Sequence, residues 1–112
     1  MKVVIAVIKP FKLDEVTEAL HAADVVGITI SDVRGHGRQR GHTEVYRGAE
    51  YKHDYLPKVR LEILVEDGDA DRVVRTIAES ARTGKIGDGK VWVIDVGAVL
   101  RVRTGEVGSD AL

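Results

Sequence analysis

Residues 3–33 read VVIAVIKPFKLDEVTEALHAADVVGITISDV, and the order of periods in this stretch decides the fold. Val3 to Ile8 is a continuous apolar run, rich in β-branched residues and closed by Pro10, which reads as a buried strand. Leu13, Val16, Leu20 and Ala23 follow at spacings of three, four and three. They mark one face of an amphipathic helix, with Asp14 and Glu15 favourably placed in its first turn. Gly27 to Val33 alternates and reads as a second strand. The same order then recurs. Val59 to Val65 alternates and runs apolar, and Asp69 stands where an N-cap is expected. Ala70, Val73, Val74, Ile77, Ala78 and Ala81 form a helical face, and Val91 to Val96 is a fourth strand. Strand–helix–strand twice over predicts the ferredoxin-like βαββαβ arrangement, an α+β fold whose antiparallel sheet carries two helices on one face. Leu100 and Val102 alternate with Arg101 and Arg103, which predicts a short extra C-terminal strand over Val99 to Thr104. Residues 1–112 read as a single domain.

The connection between the second and third strands stands apart. From Gly37 to about Tyr55 no period of 2 or 3.6 is sustained, and Gly recurs at 37, 41 and 48. Loops of this length inside a small domain are usually functional or disordered. Ordering one costs roughly 1–2 kcal/mol per residue in backbone entropy. A segment mobile on its own, taking a fixed shape only against a ligand or partner, is the expectation.

Charge points to the same stretch. The chain carries 17 Lys and Arg against 18 Asp and Glu, a formal net of −1. Residues 34–60 hold seven of the basic residues and only three of the acidic ones, so the segment is +4 and the remainder −5. Three of the four His (36, 42, 53) and all three Tyr (46, 51, 55) lie there too. A basic, Tyr-bearing, Gly-punctuated segment in an acidic domain suggests an interaction surface, against the simpler reading of a solvated loop. The 112 residues include no Cys, which excludes disulfide frameworks, thiolate metal sites and Cys nucleophiles. The longest apolar run, Val3 to Ile8, is far short of a membrane span, and, too short and followed by Lys9-Pro10, it does not fit a signal-peptide pattern. A cytoplasmic protein is expected.

Two Gly-rich stretches carry the chemistry. Thr83-Gly-Lys-Ile-Gly-Asp-Gly-Lys90 matches most of a phosphate-binding P-loop, with Gly84, four residues, Gly89 and Lys90. Position 91 is Val, so the Mg²⁺-holding hydroxyl is missing, and the order helix–loop–strand is the reverse of a P-loop NTPase. Glycines still let backbone N–H groups approach an anion, and Lys90 supplies a point charge, so phosphate binding is a candidate role and P-loop hydrolysis is not. The competing reading is a plain Gly-rich turn. Gly35-His-Gly-Arg-Gln-Arg-Gly41 is no dinucleotide fingerprint, because the third Gly is one residue late and no helix follows. It offers Arg38 and Arg40 for anions and the Gln39 amide oxygen for a hard cation such as Mg²⁺. Arg101 and Arg103 add two guanidinium groups, each able to form charge-assisted bonds worth roughly 1.5–3 kcal/mol. Taken singly, each is commonly a solvated charge; beside two Gly-rich turns, Arg38, Lys90, Arg101 and Arg103 suggest a polyphosphate ligand. Lys58, after Pro57, is either a solvated edge charge or a partner for a small carboxylate. The loop His spacings fit no standard metal pattern. No paired carboxylates and no nucleophile–base motif are evident, so an enzyme is not expected. Tyr51 is a loop phenol that a modifying enzyme could reach, or simply a contact residue.

Four segments, in this order and at these separations, resemble the PII family of nitrogen-regulatory signal-transduction proteins: IKPFKLDEV at 8–16, GRQRGHTEVYRGAEY at 37–51, TGKIGDGK at 83–90 and RVRTGE at 101–106. The resemblance runs to about Glu106. It implies a cytoplasmic homotrimer of ferredoxin-like subunits that binds ATP or ADP between subunits, and 2-oxoglutarate beside Mg-ATP. It matches residues 37–55 to the T-loop that docks on targets, 83–90 to the B-loop and the stretch after Arg101 to the C-loop. By the same resemblance, Arg38, Lys90, Arg101 and Arg103 meet nucleotide phosphates, and the backbone of Gly87, Asp88 and Gly89 cradles them. Val7, Thr29, Gly35 and Leu64 line the base and ribose pocket. Gln39 reaches Mg²⁺ and 2-oxoglutarate, Lys58 pairs with the far carboxylate, and Gly37, Arg40, Gly41 and Gly87 complete that site. Tyr51 matches the nucleotidylation position. The implied partners are nitrogen-metabolism targets such as an ammonium channel, a nucleotidyltransferase acting on glutamine synthetase or a sensor kinase, with the membrane reached only through a partner.

The chain departs from the family pattern at His36, where an aromatic residue is frequent, at Leu64 for Val, and at Arg40 for Lys. Ala49 removes a Ser that is phosphorylated in some members. An RNA-recognition module shares the fold order, but it needs stacking aromatics that Val3–Ile8 and Val59–Val65 lack, so no nucleic acid is expected. The remaining competitors are an adenylate-only or small-molecule-binding regulatory domain of the same fold, and a weak ATPase.

Overall fold

The computed structural model describes residues 1–37, 44–46, 49–51 and 55–112, the backbone alone at 44–46 and 49–51. Its elements are β1 (Lys2–Ile8), α1 (Leu13–Ala22), β2 (Thr29–Gly35), β3 (Glu44–Tyr46), β4 (Ala49–Tyr51), β5 (Leu56–Val65), α2 (Ala70–Ala81) and β6 (Gly89–Asp95). Four strands form one sheet in the order β2-β5-β1-β6, and every neighbouring pair is antiparallel. This is the expected ferredoxin-like order. The apolar run at Val3–Ile8 occupies a central strand because it is the one segment with little that needs water on either face.

Alternation sorts the side chains. Val4, Ala6 and Ile8 of β1 and Val59, Leu61, Ile63 and Val65 of β5 are buried beneath the helices. Val16 and Leu20 of α1 and Val73, Ile77 and Ala81 of α2, spaced by four, close the core from above. Ala78, on the expected helical face, is exposed.

Local chemistry sets the boundaries. Pro10 opens a 3₁₀ turn over Pro10–Lys12 that runs directly into α1. The helix ends in a Schellman motif: the Asp24 N–H donates to the His21 carbonyl and the Val25 N–H to the Leu20 carbonyl, each at 3.0 Å. Asp24 takes the left-handed position at φ 66°, and Val25 buries its side chain. Asp69 precedes α2 as expected but makes no side-chain cap bond. A 3₁₀ turn over Asp67–Asp69 leads in, and the Asp69 carboxylate pairs with Arg72 at 3.4 Å.

Expectations change at the strand ends, where β6 runs Gly89–Asp95 rather than Val91 to Val96, in the connection and at the C-terminus. β2 starts two residues later than the alternation suggests and β5 three residues earlier, at Leu56, because the two strands pair all the way to Gly35↔Leu56. The aperiodic connection contains a two-stranded ladder, β3 with β4, in which Glu44 faces Tyr51. The short extra C-terminal strand reduces to a single bridge, Leu100↔Val107. Arg101 to Thr104 turns instead, the Gly105 N–H donating to the Arg101 carbonyl at 2.8 Å, so alternation there reports a tight return of the chain.

The second face of the sheet carries no helix among the described residues. Val3, Ile5 and Val7 of β1 lie on it with their cross-strand partners, Ile5 opposite Trp92 and Val3 between Leu64 and Ile94. Leu64, Trp92 and Ile94 are 46%, 40% and 48% exposed. Arg60 and Glu62 of the same face pair at 2.6 Å.

Candidate functional site

The chain leaves α2 at Ala81 and enters β6 at Gly89, so residues 82–88 form the turn that joins helix to sheet edge. Asp88 organises it. Its Oδ2 accepts the backbone N–H of Thr83 at 2.8 Å and of Gly84 at 2.9 Å. Its Oδ1 accepts the Thr83 hydroxyl and lies 3.2 Å from the Lys9 ammonium. Lys9 also donates to Thr83 Oγ1 at 3.2 Å. The Thr83 hydroxyl, the two amides and Lys9 together hold the Asp88 carboxyl well below the usual carboxylate range, against the opposing effect of burial. The amides that this carboxylate consumes belong to Thr83 and Gly84. Those expected to meet an anion, at Gly87 to Gly89, are not among them.

Lys58 fastens the loop from the sheet. Its ammonium donates to the Gly87 carbonyl at 2.7 Å, reaching from β5 across the end of β1. Gly35 of β2 lies against the stem of the same lysine, 3.1 Å from Lys58 Cγ to the position a Cβ would take. Val7 is the cross-strand partner of Lys90. Lys90 is exposed and makes no ion pair among the described residues. Val7, Gly35, Lys58 and Gly87 to Lys90 therefore gather at one end of the sheet.

Thr29 and Leu64 sit toward the other end. Thr29 faces Glu62 and Leu64 faces Val3, and both line an open groove of about 650 Å³ between residues 24–29, residues 62–66 and the C-terminal Ala111 and Leu112. Arg101 belongs to this end. Its guanidinium donates to the Leu112 carbonyl at 2.7 Å and pairs with Glu106 at 3.1 Å. Arg103 is exposed on the same turn. Six residues of strand, about 20 Å at 3.3 Å per residue, separate Thr29 from Gly35 and Leu64 from Lys58. Within one chain the candidate residues thus fall into two groups, at opposite ends of the sheet, rather than around one pocket.

Arg38, Gln39, Arg40 and Gly41 lie outside the described residues, as does the side chain of Tyr51, whose backbone ends β4. Gly37 is described and exposed just beyond β2. His36 packs a tilted ring against Tyr55 at 5.8 Å, and the Arg34 guanidinium lies 5.8 Å from the same Tyr55 ring. This cluster joins the two stems of the segment between β2 and β5. Among the described residues no group of three His, Asp or Glu could hold a metal, and no helix is long and apolar enough to cross a membrane.

Spacing alone did not single out Lys9 and Thr83. A Thr and an Asp flanking a Gly-rich turn are residues whose side chains compete for backbone amides, and that tendency was the available signal. Lys9 had none, since its meeting with Asp88 depends on the register of β1 against β6.

The family model for nitrogen regulatory protein P-II matches residues 1–106. The chain is 55% identical to the nitrogen regulatory protein P-II of Azospirillum brasilense and 56% identical to that of Pasteurella multocida. It is also 56% identical to nitrogen regulatory protein P-II 1 of Escherichia coli K12. Each match covers all 112 residues and the full length of the relative.

Proposed function

The chain belongs to the nitrogen regulatory protein P-II family, a family of signalling proteins rather than enzymes, and on that premise we propose that it senses ATP or ADP together with 2-oxoglutarate. It acts as a cytoplasmic homotrimer and regulates nitrogen-assimilation proteins, those controlling glutamine synthetase and ammonium transport, through residues 37–55. Nucleotide phosphates meet Arg38, Lys90, Arg101, Arg103 and the backbone of Gly87 to Gly89. The base and ribose lie against Val7, Thr29, Gly35 and Leu64. When Mg²⁺ accompanies ATP, Gln39 is the residue that reaches it, and 2-oxoglutarate takes Gln39 and Lys58. Tyr51 is the position for nucleotidylation.

The observation that carries this reading is the bond from Lys58 to the Gly87 carbonyl. It ties the base of β5, where the 37–55 segment returns to the sheet, to the loop suited to phosphates. A carboxylate that draws on Lys58 and a phosphate seated by the glycines then act on one connected unit. Allostery needs only that the ligand bind the segment's states unequally, typically by about 1–3 kcal/mol. Two groups of candidate residues some 20 Å apart support a ligand shared between copies of the chain. The apolar sheet face supports an assembly that buries it.

Calorimetric titration of 2-oxoglutarate tests the reading. Wild type is expected to bind only in the presence of Mg-ATP, and Lys58→Met to keep ATP and lose 2-oxoglutarate. An unchanged 2-oxoglutarate affinity in that variant overturns the role of Lys58. ATP binding with no 2-oxoglutarate binding under either condition leaves a scaffold that reads adenylates alone.

A further inference from the structure

We propose that Asp88, Thr83 and Lys9 form a positioning cluster: the Asp88 side chain never touches the ligand but sets the shape and the charge of the loop that does. The inference rests on the nucleotide reading above and adds residues to it.

The geometry assigns every acceptor position used. One carboxylate oxygen gathers two successive amides, Thr83 and Gly84, and the other gathers the Thr83 hydroxyl and the Lys9 ammonium. Thr83 Oγ1 in turn accepts the Lys85 N–H at 3.1 Å and the Lys9 ammonium at 3.2 Å. The start of the turn is closed on its end by a side chain anchored to β1. Gly87, the neighbour of Asp88, is itself the acceptor of the Lys58 bond, so the loop is held from both sides before any ligand arrives. Preorganisation of this kind removes an ordering cost from binding.

Charge makes the second half of the argument. A carboxylate beside a phosphate loop repels its ligand unless it is neutralised. Lys9 sits 3.2 Å from Asp88, and both side chains are largely buried, so the pair presents little net charge to an anion. Lys90, which has no such counter-ion among the described residues, remains the attracting charge.

The test titrates ATP calorimetrically into wild type, Asp88→Asn, Thr83→Ser and Thr83→Val, each with and without Mg²⁺, and records thermal melts alongside. Asp88→Asn keeps the size of the side chain but cannot receive all four donors. It is expected to weaken ATP by about tenfold or more, to the same extent with and without Mg²⁺. Thr83→Ser is expected to bind as wild type, because its hydroxyl is retained, and Thr83→Val to fall with Asp88→Asn. Amide hydrogen exchange at Thr83 and Gly84, measured without ligand, is expected to accelerate in Asp88→Asn. Tighter binding in Asp88→Asn would show that the carboxylate merely repels. A loss confined to Mg-ATP would make Asp88 a metal contact. Unchanged affinity, or equal behaviour of Thr83→Ser and Thr83→Val, would leave the cluster without a positioning role. Wild type that binds no ATP overturns the nucleotide reading itself, and the exchange data then report separately whether Asp88 holds the turn.

Discussion

Replacing Gly89 by Ala is the most demanding single change this chain can be asked to accept. Gly89 begins β6, pairs with Ile8 on the central strand and has φ +98°. A Cβ built there falls 1.7 Å from the Val7 carbonyl oxygen and 2.8 Å from its carbon. Both atoms are backbone of a strand bonded on two sides, so no rotamer change relieves the overlap. The positive φ costs an L-residue about 1–3 kcal/mol. Moving β6 off Val7 loses at least one ladder bond, about 0.5–1.5 kcal/mol net. A loss of about 3 kcal/mol, within a range of about 1.5–4.5, is therefore expected from the two together. Gly84→Ala is the internal control: φ is +83° but nothing lies within 4 Å of the added carbon, so only the conformational cost applies, about 1–3 kcal/mol. Urea unfolding at one fixed protein concentration separates them. With a slope of about 1–3 kcal/mol per molar, Gly89→Ala should move the midpoint by about 1–3 M. A loss below about 1 kcal/mol at Gly89, or equal losses at the two glycines, would refute the claim that close backbone approach fixes this residue.

Acid should act on the same loop. The Asp88 carboxyl titrates lower in the folded chain than in the unfolded one, so its contribution to stability is present above the ordinary Asp value of 3.8 and is lost as pH falls through its depressed folded value. Comparing melts at pH 7 with melts below pH 4 should show a smaller acid-induced drop in Asp88→Asn than in wild type, and an identical drop would count against the bonding described. On the sheet face that carries no helix among the described residues, Trp92→Glu is expected to dissociate the proposed assembly, because a carboxylate would replace the half-exposed indole in a contact that buries this face. Sedimentation velocity that still returns the wild-type mass would place the subunit contact elsewhere. In the core, Ile77→Ala removes a side chain with no exposed surface and should cost about 2–5 kcal/mol in urea unfolding.

The periods of the sequence determined the order of elements and the faces they bury. Val3 to Ile8, β-branched and closed by Pro10, reads as a buried strand, and the spacing by four of Val73, Ile77 and Ala81 reads as the buried face of a helix. The family resemblance was equally legible, since long motifs in fixed order survive without any knowledge of contacts. Tertiary structure decided what local pattern cannot encode. The alternation at Arg101 and Arg103 suggested a strand, but the Gly105 N–H returns to the Arg101 carbonyl and the chain turns. Asp88 looked like part of an anion cradle through its backbone. Its side chain is committed to Thr83, Gly84 and Lys9, and Lys9 is 79 residues away in sequence and adjacent only through the β1–β6 register. The division of the candidates into two ends of one sheet was likewise invisible. It follows from strand length and pairing, and those are properties of the folded sheet rather than of any segment within it.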